Sequence, residues 1–296
     1  MRNARVGFGE ILYSPYCIGA SFLAAMLAVS VCLTACGEQR SSGLTCSTDP
    51  GHGPNEWNDF TAGKRPKAFF ADPRVAALAQ AAGDDDLPRI AALIHEGANP
   101  NVQGQEGVTV LDWALRREKP RAFAALLDAG ADPSLRQADG RSAIHDAAEA
   151  DDVAFLSTLI AHHADLNQGM SGGGDTPLFL TLISKCDKQM NMLLAAGADV
   201  RKANDVGDTA LHRAAEINDF DDVLLLLRAG ADPTARNAVG NTFQRYLTST
   251  PPDSLSEAGK RGILAIHAWL SEHHVPVEAP PPHEVMPWER PAANGH

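Results

Sequence analysis

The sequence predicts an all-α solenoid of stacked helix-turn-helix units, and three observations carry that reading. A Gly-x-(Thr/Ser)-x-(Leu/Ile) turn returns about every 33 residues, its glycines falling at Gly107, Gly140, Gly174, Gly207 and Gly240. A Gly-Ala pair closes the stretch between turns at Gly97, Gly130, Gly197 and Gly230, and His163-Ala164 fills the one remaining slot. The segment between them is helical in pattern, clearest in GDTALHRAAEINDFDDVLLLLRAGAD from Gly207 to Asp232. A fixed period of this length describes supersecondary units that bury their apolar faces only against each other. It is not the plan of a compact enzyme core, so the question becomes what the stack binds.

The first segment is different in kind. Arg2 and Arg5 form a short basic head, residues 18–35 are apolar and small, and no charge interrupts the run from Ile11 to Cys36. That is the anatomy of an export signal, with an uncleaved anchor long enough to cross about 30 Å of hydrocarbon as the alternative. Leu33-Thr34-Ala35-Cys36-Gly37 resembles the lipobox of bacterial lipoproteins, in which small residues admit the signal peptidase and the cysteine becomes the acylated N-terminus. The resemblance implies a signal peptide at 1–35, lipidation (palmitate) at Cys36 and attachment to the bacterial cell envelope. Gly37 stands where an inner-membrane retention signal has Asp, which favours the outer membrane facing the periplasm. Glu10 and the long n-region depart from the usual pattern.

Composition bounds the rest. The chain is 44% hydrophobic and 21% charged, ordinary for a folded protein. Its formal charge is −12; removing residues 1–35, with Arg2, Arg5 and Glu10, takes away a net +1 and leaves −13. Nucleic acid needs clustered Lys and Arg on its partner, so an acidic chain argues against DNA or RNA. Cys17 and Cys32 fall in the signal and Cys36 in the lipobox, which leaves Cys46 and Cys186. These two either form a disulfide that pins the N-terminal segment to the fourth repeat or stand as an exposed and a buried thiol.

Residues 36–66 are polar and rich in Gly, Ser and Pro, and read as a flexible tether. Order is expected from Phe69 and Phe70, which cover the first face of the stack, followed by Asp72 as an N-cap with Pro73 behind it. Six units then follow. A capping unit spans 72–101, four full repeats open at Gly107, Gly140, Gly174 and Gly207, and a degenerate last unit runs from Gly240 to about Leu270. The repeat domain is placed at 67–274 and a Pro-rich disordered tail at 275–296. Within each unit Thr or Ser caps the first helix, Leu or Ile points inward, small pairs such as Ala147-Ala148 and Ala214-Ala215 admit close neighbours, and the second helix presents pairs such as Leu193-Leu194 and Leu226-Leu227.

These residues resemble ankyrin repeats over roughly 72–270. The family tetrapeptide Thr-Pro-Leu-His appears as Thr109-Val110-Leu111-Asp112, Ser142-Ala143-Ile144-His145, Thr176-Pro177-Leu178-Phe179 and Thr209-Ala210-Leu211-His212. The resemblance implies a solenoid whose units are joined by β-turn fingers, with His145 and His212 bonding turn backbone. It also implies that Asp112 and Phe179 lose that bond. Gly172-Gly173-Gly174 adds one residue to the third finger, as a binding loop or as a tolerated insertion.

Catalytic groups do not assemble. No Gly-x-Ser-x-Gly elbow, phosphate-binding Gly-rich loop or His-Glu-x-x-His helix is present. Adjacent His162-His163 rarely converge on one metal, and Asp84-Asp85-Asp86 lacks the alternate spacing of a calcium loop. The expectation is no enzyme, no metal and no cofactor. Ankyrin contacts come from the fingers and the concave face of the first helices. The resemblance therefore points to Trp113, Asp146, Leu180 and Arg213, to Arg116, Glu149, Ile183 and Glu216 a turn further on, and to Arg141, Asp175, Asp208 and Asn241 on the fingers. Trp and Arg are the residue types that dominate binding hot spots; the alternative for Trp113 is that it covers a seam between repeats. The expected function is a monomeric protein-binding module on the envelope, either an immunity protein against a toxin such as a phospholipase effector or an adaptor for a resident envelope enzyme such as an oxidative-stress enzyme.

Overall fold

A computed structural model describes residues 65–251 and 254–278. The signal peptide, Cys36, most of the tether and the tail beyond residue 278 lie outside the described residues. Twelve α-helices in six pairs make up the described chain: α1 (Pro73–Gly83) with α2 (Leu87–His95), α3 (Val110–Arg116) with α4 (Pro120–Asp128), and α5 (Ala143–Glu149) with α6 (Val153–Ala161). The series continues with α7 (Pro177–Ile183) and α8 (Asp187–Ala195), α9 (Ala210–Glu216) and α10 (Phe220–Arg228), and α11 (Gln244–Leu247) and α12 (Glu257–Glu272). Among the described residues there is no strand; Ala203 and Thr209 form an isolated bridge. None of these helices is long and apolar enough to cross a membrane.

Short local signals set the helix ends. Asp72 accepts from the Arg74 amide at 2.8 Å ahead of Pro73, as the sequence requires. The same acidic cap opens three of the second helices: Asp86, Asp152 and Asp219 accept from the amides of Arg89, Ala154 and Asp222. At the other end of the second helices, Gly97, Gly130, Gly197 and Gly230 take φ of 86–93°, and His163 takes 57° in the slot where glycine is missing.

The stack closes through one continuous core. Leu126, Leu156, Leu159, Leu193 and Leu226 are fully buried, and Phe123 meets Phe155 edge-on at 5.2 Å across two units. Of the predicted inward pairs, Leu193 is buried while Leu194 is only partly so. Each finger passes a backbone bond to the one before it: Gln105 N–H donates to Phe69, Ala138 to Glu106, Ser171 to Gly140, Asp205 to Gly173 and Ala238 to Val206. Gly207 must be glycine twice over, because its φ is +79° and an added Cβ would lie 2.8 Å from the Ala238 nitrogen. The Gly172 region joins this ladder through Gly173 and is built into the row of fingers.

Three sequence expectations need correction. Asp112 does not lose the turn bond: its Oδ2 accepts from both the amide and the hydroxyl of Thr109 at 2.8 Å, because a carboxylate reaches the same two donors that the imidazoles of His145 and His212 meet. The last unit, expected to end at about Leu270, runs on to Glu272 in a helix that begins at Glu257 under a Ser256 cap. Gly262 there leaves room for Phe220, whose Cβ an added methyl would approach to 2.6 Å. The tail does not leave the stack at Val275. The Val275 amide donates to Leu270, Gln244 Nε2 to the Pro276 carbonyl, and the Glu278 amide to Gln244 Oε1.

Candidate functional site

The residues expected to face a partner divide into two groups. Trp113 is 1% exposed, and its ring meets Phe69 at 5.3 Å and Phe70 at 6.3 Å, both edge-on, with the Arg117 guanidinium 4.9 Å over its other side. It is the centre of the N-terminal end of the core, and no partner touches it without unfolding that end. Leu180 is buried as well. The physical reason is that α3 lies directly beneath the capping unit, so a large apolar side chain on its face is covered by Phe69 and Phe70.

Arg116, Arg141, Asp146 and Glu149 form one polar network across three units. Arg116 donates to Gln137, and Gln137 Nε2 donates to Asp146 Oδ2 at 2.7 Å. Arg141 Nε reaches Asp146 Oδ1 at 2.6 Å, its Nη2 pairs with Glu149, and the Ser184 hydroxyl of the next unit donates to the other Glu149 oxygen. Burial works to lower the Arg141 pKa, yet the Asp146 charge, followed by that of Glu149, holds it above its usual value. Both arginines are buried, Arg116 bonded to Gln137 and Arg141 to Asp146 and Glu149 inside the molecule.

Two titrating groups flank this network. Burial first, and then the Asp146 charge, pushes the Asp112 carboxyl up to about 7 against the hydrogen bonds from Thr109. Burial and then the Arg141 charge push His145 down to about 4, so it sits neutral with Nδ1 on Ser142. Both groups lie in the first turn of a helix and complete its capping box, Asp112 with Thr109 and His145 with Ser142.

Asp175 and Asp208 are half-buried and accept from Asn204 and Asn237, each at 2.8 Å, in a ladder between neighbouring fingers. Asn241 belongs to the same turn, its amide donating to Asn237 and its carbonyl facing His212 Nε2 at 3.1 Å. Arg213 and Glu216 pair at 2.6 Å on α9, with Glu216 exposed. Among the described residues the exposed large apolar side chains include Leu264 and Val277 in the last unit and three others on earlier units. Val206 is 56% exposed and Val239 77%, each directly before a turn glycine on consecutive fingers, and Ile183 at the end of α7 is exposed too. Sequence reasoning passed over both valines because it weighed the residues after the turn glycines; the signal was an apolar residue at the tip itself.

Among the described residues no group of three His, Cys, Asp or Glu side chains is placed to hold a metal ion. His273 stacks on Trp269 at 3.8 Å, and His162 lies 3.5 Å from Asp128. What the arrangement offers is a surface for non-covalent contact.

The comparisons agree with this geometry. The family model described as ankyrin repeats, three copies, matches residues 77–170 and 155–237, together more than half of the chain. This chain belongs to the ankyrin-repeat family. As a family member it is a protein-binding module, built on an interaction fold. Protein PhlB of Serratia liquefaciens is 40% identical over 142 residues, 48% of this chain and 62% of that protein. The match thus spans less than two thirds of that relative. Among solved structures, the ankyrin repeat protein EF0377 is 27% identical with a TM-score of 0.55, covering 66% of this chain and 97% of that one. A chain in the complex of the predatory endopeptidase Bd0816 from Bdellovibrio bacteriovorus with immunity protein Bd3460 is 25% identical with a TM-score of 0.50, covering 66% of this chain and 97% of that chain.

Proposed function

We propose that this ankyrin-repeat protein is lipid-anchored at Cys36 in the bacterial envelope, where it binds one secreted toxin, such as a phospholipase effector, and neutralises it by covering its working surface. The observation that carries the reading is the exposed apolar residue at the tips of two consecutive fingers, Val206 and Val239. Scattered exposed valines mean little, but two on adjacent fingers give a partner a surface to dehydrate. The endopeptidase–immunity complex supports neutralisation as the direction, since a chain in it is similar to this one along 97% of its own length. An anchor at Cys36 raises the local concentration of the binder where a membrane-attacking toxin works.

The test is a crosslinked pull-down of the full chain from envelope extracts of its own and neighbouring strains, read by mass spectrometry. A stoichiometric secreted toxin is the expected catch. Capture of a resident envelope enzyme instead replaces neutralisation with an adaptor role, and an empty pull-down removes both.

A further inference from the structure

Asp opens three of the second helices, and the fourth unit holds a cysteine at the same position. Asp86, Asp152 and Asp219 occupy the N-cap of α2, α6 and α10 and hold its free amides. In the fourth repeat the same position is Cys186, whose side chain caps nothing on α8. Lys119 opens α4 without a side-chain cap too, so the missing cap alone assigns Cys186 no role, and its covalent bond does. Cys186 is fully buried, yet disulfide-bonded. It is the only cysteine among the described residues, so its partner sulfur belongs to the chain before Arg65, at position 17, 32, 36 or 46.

We infer that Cys186 is joined to Cys46, and that this bond straps the segment before the repeats to the fourth unit. The choice of Cys46 rests on the export reading, in which Cys17 and Cys32 leave with the signal and Cys36 carries lipid. Reach permits it. Nineteen residue steps separate Cys46 from Arg65, enough to span up to about 65 Å when extended. Three helix layers at about 9–10 Å each place α7 and α8 about 30 Å from α1. The bond forms as both thiols give up their protons and two electrons to an external disulfide, which leaves as two thiols. Such exchange belongs to an oxidising compartment. The closed loop encloses the capping unit and the second and third repeats, the part of the stack that carries Trp113 and the Arg141 network.

The experiment uses the full chain produced with export, its thiols blocked during lysis, and compares wild type with Cys46→Ser. Digestion without reductant should give one peptide pair joining Cys46 to Cys186. Reduction should split that pair and lower the melting temperature by roughly 10 °C, as expected for a loop of this length. Cys46→Ser should melt like the reduced protein and ignore reductant. Cys186 taking an alkyl label in denaturant without reduction would overturn the cross-link. Cys186 found linked to Cys36 would overturn its assignment to Cys46 and the lipobox with it, while leaving the strap itself in place.

Discussion

The first helices of the second to fourth units and the fingers of the fifth and sixth are built from the same repeat, yet they treat solvent in opposite ways. In the former, Trp113, Arg116 and Leu180 are buried, as is Arg141 on the finger just before α5, and the polar groups are bonded through Gln137, Asp146, Glu149 and Ser184. In the latter, Val206 and Val239 stand in water. Exposure follows position within the repeat, since Glu106 and Asp139 before earlier turn glycines are exposed as Val206 and Val239 are; what sets the late tips apart is that theirs are apolar. On the first helices the neighbours matter as well: Trp113 of α3 is covered by Phe69 and Phe70.

The largest break in this comparison comes from Trp113. Trp113→Ala empties the contact with Phe69 and Phe70 and should cost about 3–5 kcal/mol, read as an earlier thermal melt followed by circular dichroism. A melt within a degree of wild type would mean that the ring is not core. Arg141→Ala comes next: it strands the Asp146 and Glu149 carboxylates without their cation and should cost about 3 kcal/mol in urea unfolding. A change below about 0.5 kcal/mol would place that network on the surface.

Of this fold, the repeat and its punctuation were legible in the sequence, because glycines at positive φ and caps at helix starts are local demands that one residue meets. Gly207 and Asp72 were readable for that reason. The site was less legible. Whether Trp113 faces a partner or the core depends on Phe69 and Phe70, some forty residues earlier, and on the angle at which the capping unit stacks. The Asp112 turn shows the opposite limit, since comparison with the family His suggested a lost bond while the carboxylate makes the same one. Val206 and Val239 carried a readable signal, apolar residues at turn tips, that the emphasis on aromatic and arginine residues obscured.

A smaller effect separates the two titrating groups of the buried half. The folded pKa of Asp112, about 7, stands above its ordinary 3.8, so the folded state holds the extra proton and stability falls as pH rises from about 4 to about 7. His145 runs the other way: its folded value of about 4 lies below 6.5, so its stabilisation is present above about 6.5 and is lost as pH falls to about 4. Over the shared window the two slopes offset each other. Asp112→Asn removes the first, and unfolding free energy should then climb with pH between about 4 and 6.5 by up to about 1.4 kcal/mol per unit. A profile superimposable on wild type would contradict the burial of that carboxyl.

The most direct test of the account is the double variant Val206→Asp/Val239→Asp, measured for stability and for binding of the partner captured from the envelope. Both side chains are exposed, so the melt should stay within about 0.5 kcal/mol of wild type. Binding should weaken at least tenfold, about 1.4 kcal/mol or more. Wild-type affinity in a variant that folds normally would contradict the claim that the late fingers are where this stack meets its partner.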